Sequence, residues 1–213
     1  MLPIEALSRL TPQQVHDRVA GFARRYVVDW DEWLATPVED RIPVFGRIMR
    51  KWQATRPYVM RRPRAEAEHD PPYLEDLIAE AQPHLDLVGD LTVRTLVNVE
   101  PLQQSALREL WLLFRRLSLD RPASCVGISK AVLLLTDGRI GPSLDSRVRA
   151  GLEIEHVTSA AEWVEVLVGV SLDIRAFERT NGISLREAVP QAFRHLGEGR
   201  LCDMAFGPRE RRR

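Results

Sequence analysis

Leu107, Leu110, Trp111, Phe114 and Leu117 recur at three- and four-residue steps, with Arg108, Glu109, Arg115 and Arg116 between them. At the period of an α-helix this spacing gathers the large apolar side chains on one stripe and the charges on the other. Asp120-Arg121-Pro122 closes the segment, because a residue before proline is steered out of the α region. The stripe predicts a central helix over 101–117, against which the segment that follows it packs.

The same period recurs along the chain. Thr11-Pro12 pairs an N-cap with a proline suited to the first helical position, and Val15, Val19, Phe22 and Ala23 carry the predicted helix to about Tyr26. Ser159 with Glu162, and Ser184 with Glu187, are capping boxes that predict helices to about Phe177 and Leu196. Leu74 to Ala81 and Leu85 to Val97 read as two more helices, with a short strand near 93–99 as the alternative for the second. Asp29 to Leu34 reads as a short helical connector whose Trp30 and Trp33 serve packing. The expected class is therefore all-α, in one domain over 1–213 or as two lobes around a cleft. Pro57, Pro63, Pro71 and Pro72 make 57–72 the expected linker, and 205–213 the expected basic tail.

Composition narrows the function classes. Two cysteines, Cys125 and Cys202, exclude a disulfide framework and a four-cysteine iron–sulfur loop. No signal peptide and no apolar run long enough to span a bilayer is read, so the expected location is the cytoplasm. The five histidines show no metal-ligand spacing, and neither a metal nor a cofactor is expected. The formal net charge is zero, yet it conceals two opposed blocks. Residues 41–64 include Arg47, Arg50 and Lys51 and contain no acid, whereas residues 65–90 contain no lysine or arginine. Two readings stay open: a basic surface tracking a phosphate backbone with Phe45, Trp52 and Tyr58 interleaved, or two blocks that pair with each other.

Cys125 to Leu152, CVGISKAVLLLTDGRIGPSLDSRVRAGL, carries the order that chemistry could need. Val126-Gly127 reads as a tight corner, Ser129 to Leu135 as a buried helix stopped by Asp137-Gly138, and Gly141-Pro142 as the lead into another helix. Asp145 falls in the first turn of that helix, where the macrodipole favours a carboxylate. The segment resembles the helix-hairpin-helix DNA glycosylases, whose hairpin reads leucine-proline-glycine-valine-glycine-x-lysine-x-alanine and is followed by a valine-aspartate-threonine-histidine-valine run. Val126, Gly127 and Ala131 match the hairpin, and Leu144-Asp145-Ser146-Arg147-Val148 matches the acid run. Cys125 stands where the family has its first hairpin glycine, and Ser129 stands where lyase-type members carry their nucleophilic lysine; Lys130 is one position later.

The resemblance implies an all-helical glycosylase that removes a damaged or modified base from DNA, with Asp145 as the catalytic carboxylate. It implies a backbone contact at the Gly127 corner, to which Val126, Ser129, Lys130 and Arg147 contribute. Ser129 in the lysine position implies a monofunctional enzyme leaving an abasic site. Two rivals remain: a non-catalytic DNA-binding module using the same hairpin as a clamp, and a protein-interaction subunit using the charge blocks at 41–90. No role is read for GRLCDMAFGPR, residues 199–209, in which Cys202 is taken as a small buried apolar residue.

Overall fold

A computed structural model describes residues 3–210. Ten α-helices and five short 3-10 helices are connected by turns, with no β-strand among the described residues. The class is all-α, as expected.

Helix α1 (Pro12–Ala20) starts at a capping box in which Thr11 Oγ1 accepts from Gln14 N, and Gly21 ends it. The chain then turns through 21–23 into α2 (Arg24–Ala35), so the predicted helix to Tyr26 divides in two and the connector at 29–34 belongs to a three-turn helix. Trp30 and Trp33 are both buried, which bears out packing as their role. Helices α3 (Arg41–Lys51) and α4 (Leu74–Leu87) follow, and α4 runs through Pro83 where two helices were expected. Residues 93–98 form a 3-10 turn rather than a strand.

Helix α5 (Pro101–Phe114) buries Leu107, Leu110, Trp111 and Phe114, the predicted stripe. It packs on α4 and on the long helix α8 (Ala160–Asn181), where the Trp111 and Trp163 rings lie 5.7 Å apart. The most enclosed helices are two others. In α6 (Cys125–Leu135) all residues but Val126 and Leu135 are buried, and in α10 (Glu198–Phe206) all but Glu198. Between them lie α7 (Ser146–Gly151) and α9 (Leu185–Ala188); Pro190 cuts α9 to four residues, far short of Leu196.

Buried apolar side chains from Ile4 to Phe206 form one contiguous cluster. The proline-rich stretch 57–72 is irregular but anchored: Arg61 N donates to Leu117 O and Leu119 N to Val59 O, each at 2.9 Å. The expected basic tail begins inside α10. Its residues Pro208 and Glu210 lie along 21–24, where Ala23 N donates to Pro208 O at 2.9 Å and Arg24 N to the Glu210 carboxylate at 2.7 Å. Residues 211–213 of that tail lie outside the described residues.

Candidate functional site

Helix α6 begins one residue after Ser124, so Val126 and Gly127 form its first turn and not a corner. Gly127 is buried there because the connector after α3 crosses it closely: a Cβ at this position would lie 2.9 Å from the Ala54 carbonyl oxygen. Ser129 also faces inward. Its hydroxyl donates to Cys125 O at 2.6 Å and accepts from Leu144 N at 2.8 Å, tying α6 to the strand-like segment that leads to Asp145. The phosphate seat expected at Gly127 and Ser129 is corrected accordingly, since both groups are enclosed and the serine's hydrogen bonds are committed. Val126 is half-buried in the same turn, and Arg147 is exposed on α7.

The basic candidates on α3 are engaged by acids. Arg47 pairs with Glu32 at 2.7 Å, Arg50 with Glu66 at 3.1 Å, and Lys51 with the buried carboxylate of Asp29. Arg64 reaches Asp76 at 3.0 Å, and Arg62 reaches Glu68 at 3.8 Å. The Arg50–Glu66, Arg62–Glu68 and Arg64–Asp76 contacts follow the reading in which the two blocks pair with each other, whereas Glu32 and Asp29 belong to α2, outside the acidic block.

Asp145 is the N-cap of α7, placed there by the usual rule that a short acceptor satisfies the first free N–H groups. Its Oδ1 accepts from Arg147 N at 2.9 Å and Val148 N at 3.0 Å, while Oδ2 accepts no hydrogen bond among the described residues. The half-buried carboxylate lines a small cavity together with Lys130, Ser143, Arg200 and Asp203. Phe22, Tyr26, Trp52 and Pro208 complete the wall. The cavity measures about 20 Å³, the room that one water molecule needs.

Each charged group in this cavity is fixed by neighbours. The Lys130 amine donates to Trp52 O at 2.9 Å. Burial lowers its pKa, and the charges of Asp145 and Asp203 draw it back up. Arg200 Nη1 donates to Asp203 at 2.5 Å and Nη2 to Tyr26 O at 3.1 Å. The Arg200 guanidinium carbon lies 4.6 Å from the Trp30 ring centre and 4.9 Å from that of Phe22, so aromatic faces replace much of its hydration. Asp203 also accepts from Ser143 N at 3.2 Å and from the Ser143 hydroxyl. Burial pushes the Asp203 carboxyl above its ordinary range, against the pull of Arg200.

Sequence reasoning missed Arg200, Asp203 and Ser143. The signal was present as glycine spacing around α10. A Cβ on Gly199 would sit 2.6 Å from Gly141 N, and one on Gly197 would sit 2.4 Å from the Gly138 carbonyl. Those glycines let the start of α10 press against 138–141, and Arg200 N donates to Gly138 O at 2.9 Å. Gly138 itself has φ +75°, which glycine adopts without strain. The unexplained C-terminal stretch therefore brings an ion pair to the acid that sequence reasoning singled out. Cys202 beside it is buried, and enclosure pushes its thiol well above the ordinary range, as suits a packing residue.

Among the described residues no cluster of three or more potential metal ligands occurs, and no helix is long and apolar enough to cross a membrane. No protein-family model, curated protein or solved structure gives a significant match to the chain.

Proposed function

We propose that this protein excises a damaged or modified base from DNA, with Asp145 as the carboxylate that confronts the sugar. The observation that supports the reading is the state of Asp145. One oxygen is clamped by the start of α7, the other makes no hydrogen bond among the described residues, and the group borders a small cavity sized for one water. In such a reaction the water oxygen bonds to C1′ as the N-glycosidic bond breaks, and the base leaves with the bonding pair and takes up a proton. A fixed carboxylate stabilises the positive charge that develops on the sugar and orients the water. At this size the cavity has room for a water but not for a base, so a flipped nucleotide enters only where Tyr26, Trp52 and the segment at Pro208 give way.

The test is a panel of duplexes carrying altered bases, with abasic sites revealed by alkaline cleavage. Asp145→Asn is expected to abolish base release while DNA affinity is retained. Base release by Asp145→Asn at the unaltered rate overturns the assignment.

A second reading is favoured by the position of Lys130. Ser129 in the family's lysine position is turned inward, whereas the Lys130 amine borders the same cavity as Asp145. Burial favours its neutral form, the form that attacks carbon. Attack at C1′ would expel the base and leave an imine that borohydride reduces to a stable protein–DNA adduct. Formation of that adduct, and its loss in Lys130→Met, would make the enzyme bifunctional; an abasic product with no adduct keeps it monofunctional.

A further inference from the structure

On the far side of α6 from Leu135, the chain carries a second feature that the sequence did not reveal. Arg61, Arg115, Arg116 and Arg121 line one open groove of about 420 Å³ at the end of α5, with Asp120 the single acid among the lining residues. Neither Arg115 nor Arg121 makes an ion pair among the described residues. Arg116 is held by Glu80, and the Arg121 guanidinium lies 5.9 Å from the Tyr58 ring centre.

Two observations show that the groove is organised and is more than a chance run of arginines. Arg61 is locked by backbone acceptors, donating through Nε to Arg116 O at 2.8 Å and through Nη1 to Pro72 O at 2.8 Å, which leaves Nη2 without an acceptor among the described residues. Ser118, 4% exposed, lines the same groove with its hydroxyl unpartnered among those residues. A buried hydroxyl without a partner costs free energy that a ligand oxygen recovers. Burial and the neighbouring charge of Arg116 lower the Arg61 pKa, a repulsion that a bound anion relieves.

We infer that this groove binds the phosphate backbone of a DNA strand, with Arg115 and Arg121 as its free cations and Arg61 and Ser118 as its fixed donors. A phosphodiester supplies the acceptor oxygens that both the guanidinium groups and the hydroxyl lack. The choice of DNA rests on the nucleotide reading of the Asp145 cavity, and the connection between the two places is short. Residues 118–122 run directly into Ser124 and α6, and Tyr58 lies on the same connector as Trp52, which walls the cavity. The groove is thus next along the chain to α6, the helix that carries Lys130 to the cavity.

The experiment titrates a fluorescent undamaged duplex against wild type, Arg115→Ala/Arg121→Ala and Arg47→Ala between 50 and 200 mM salt, a range in which backbone contacts are strongly expressed. Each lost phosphate contact removes about 0.9 from the slope of log affinity against log salt, so the double variant is expected to lose about 2. Over this range the wild-type affinity is then expected to fall about tenfold more than that of the double variant. Arg47→Ala is expected to keep the wild-type slope, since Arg47 is committed to Glu32. The groove assignment is overturned if the double variant keeps the wild-type slope, if Arg47→Ala alone reduces it, if wild type binds no DNA at 50 mM salt, or if phosphatidylglycerol vesicles compete DNA away. The base-release panel is scored separately. Affinity lost in the double variant, with no base released by wild type, retains the groove and removes the glycosylase reading; base release with an unchanged slope does the reverse.

Discussion

Asp203→Asn probes the ion pair that α10 brings to the cavity, and its effect can be worked out from the contacts. Arg200 is 2% exposed and Asp203 is 5% exposed, and they meet at 2.5 Å. Asparagine keeps the shape and an acceptor for Ser143, but it leaves the guanidinium without its counter-charge. Removing one partner of a buried pair costs about 3–5 kcal/mol. The rings of Trp30 and Phe22 persist in the variant and soften the penalty by about 1 kcal/mol. A loss of about 3 kcal/mol is therefore expected, equivalent for a chain of this size to a melting temperature roughly 6–12 °C lower.

Urea denaturation with an unchanged m-value is the appropriate assay. Arg200→Met is the informative comparator, because it leaves a carboxylate that can neutralise itself by taking a proton. Burial already holds the Asp203 pKa above its ordinary 3.8, and removing Arg200 raises it further. A folded-state pKa raised above the unfolded one contributes stability below the unfolded value and loses it as pH rises through the folded value. Both deficits are thus expected to shrink towards low pH: in Arg200→Met the stranded carboxylate takes up a proton, and against Asp203→Asn the wild-type Asp203 does so and loses the charge that set it apart from asparagine. An Asp203→Asn protein within 1 kcal/mol of wild type, or an Arg200→Met deficit independent of pH, refutes this account of the pair.

Ser129→Ala removes the acceptor of Leu144 N in a buried place and is expected to cost about 1–3 kcal/mol by chemical denaturation. Gly127→Ala sets a methyl group against the Ala54 carbonyl and is expected to cost about 1–3 kcal/mol; a neutral result would show that the connector yields freely. Arg64→Ala breaks only an exposed pair with Asp76 and is expected to change stability by less than about 1 kcal/mol. Lys130 titrates in the opposite sense to Asp203, because its folded pKa lies below the ordinary 10.5. Wild-type stability is expected to gain a component as pH rises from the folded value towards 10.5, and a difference curve against Lys130→Met should show that component disappear.

Where the physics is local, the sequence was legible. The α5 stripe and the capping boxes at Thr11, Ser159 and Ser184 each settle a helix start through neighbours three or four residues away. Ends were less readable, because Gly21 and Pro190 terminate helices that periodicity alone would extend. Helix α4 continues through Pro83, since the burial of Ala81 and Leu85 outweighs the missing hydrogen bond. Helix α10 left almost no trace in the pattern. Being enclosed on nearly every side, it has no polar face, and its buried Arg200 and Asp203 interrupt the apolar run. At the site, the order of Gly127 and Asp145 was visible, but α6 begins at Cys125 and turns Ser129 inward and Lys130 towards the cavity. Partners such as Asp203 and Ser143, sixty residues apart, belong to tertiary structure and leave no local spacing to read.

The most direct measurement is single-turnover base release from the altered-base panel by wild type and Asp145→Asn, at protein concentrations that saturate both with DNA. An abasic product from at least one duplex with wild type, and none with the bound Asn variant, is the expected result. Equal release by the two proteins, or release by neither from any duplex, contradicts the proposal that this carboxylate acts on a flipped nucleotide.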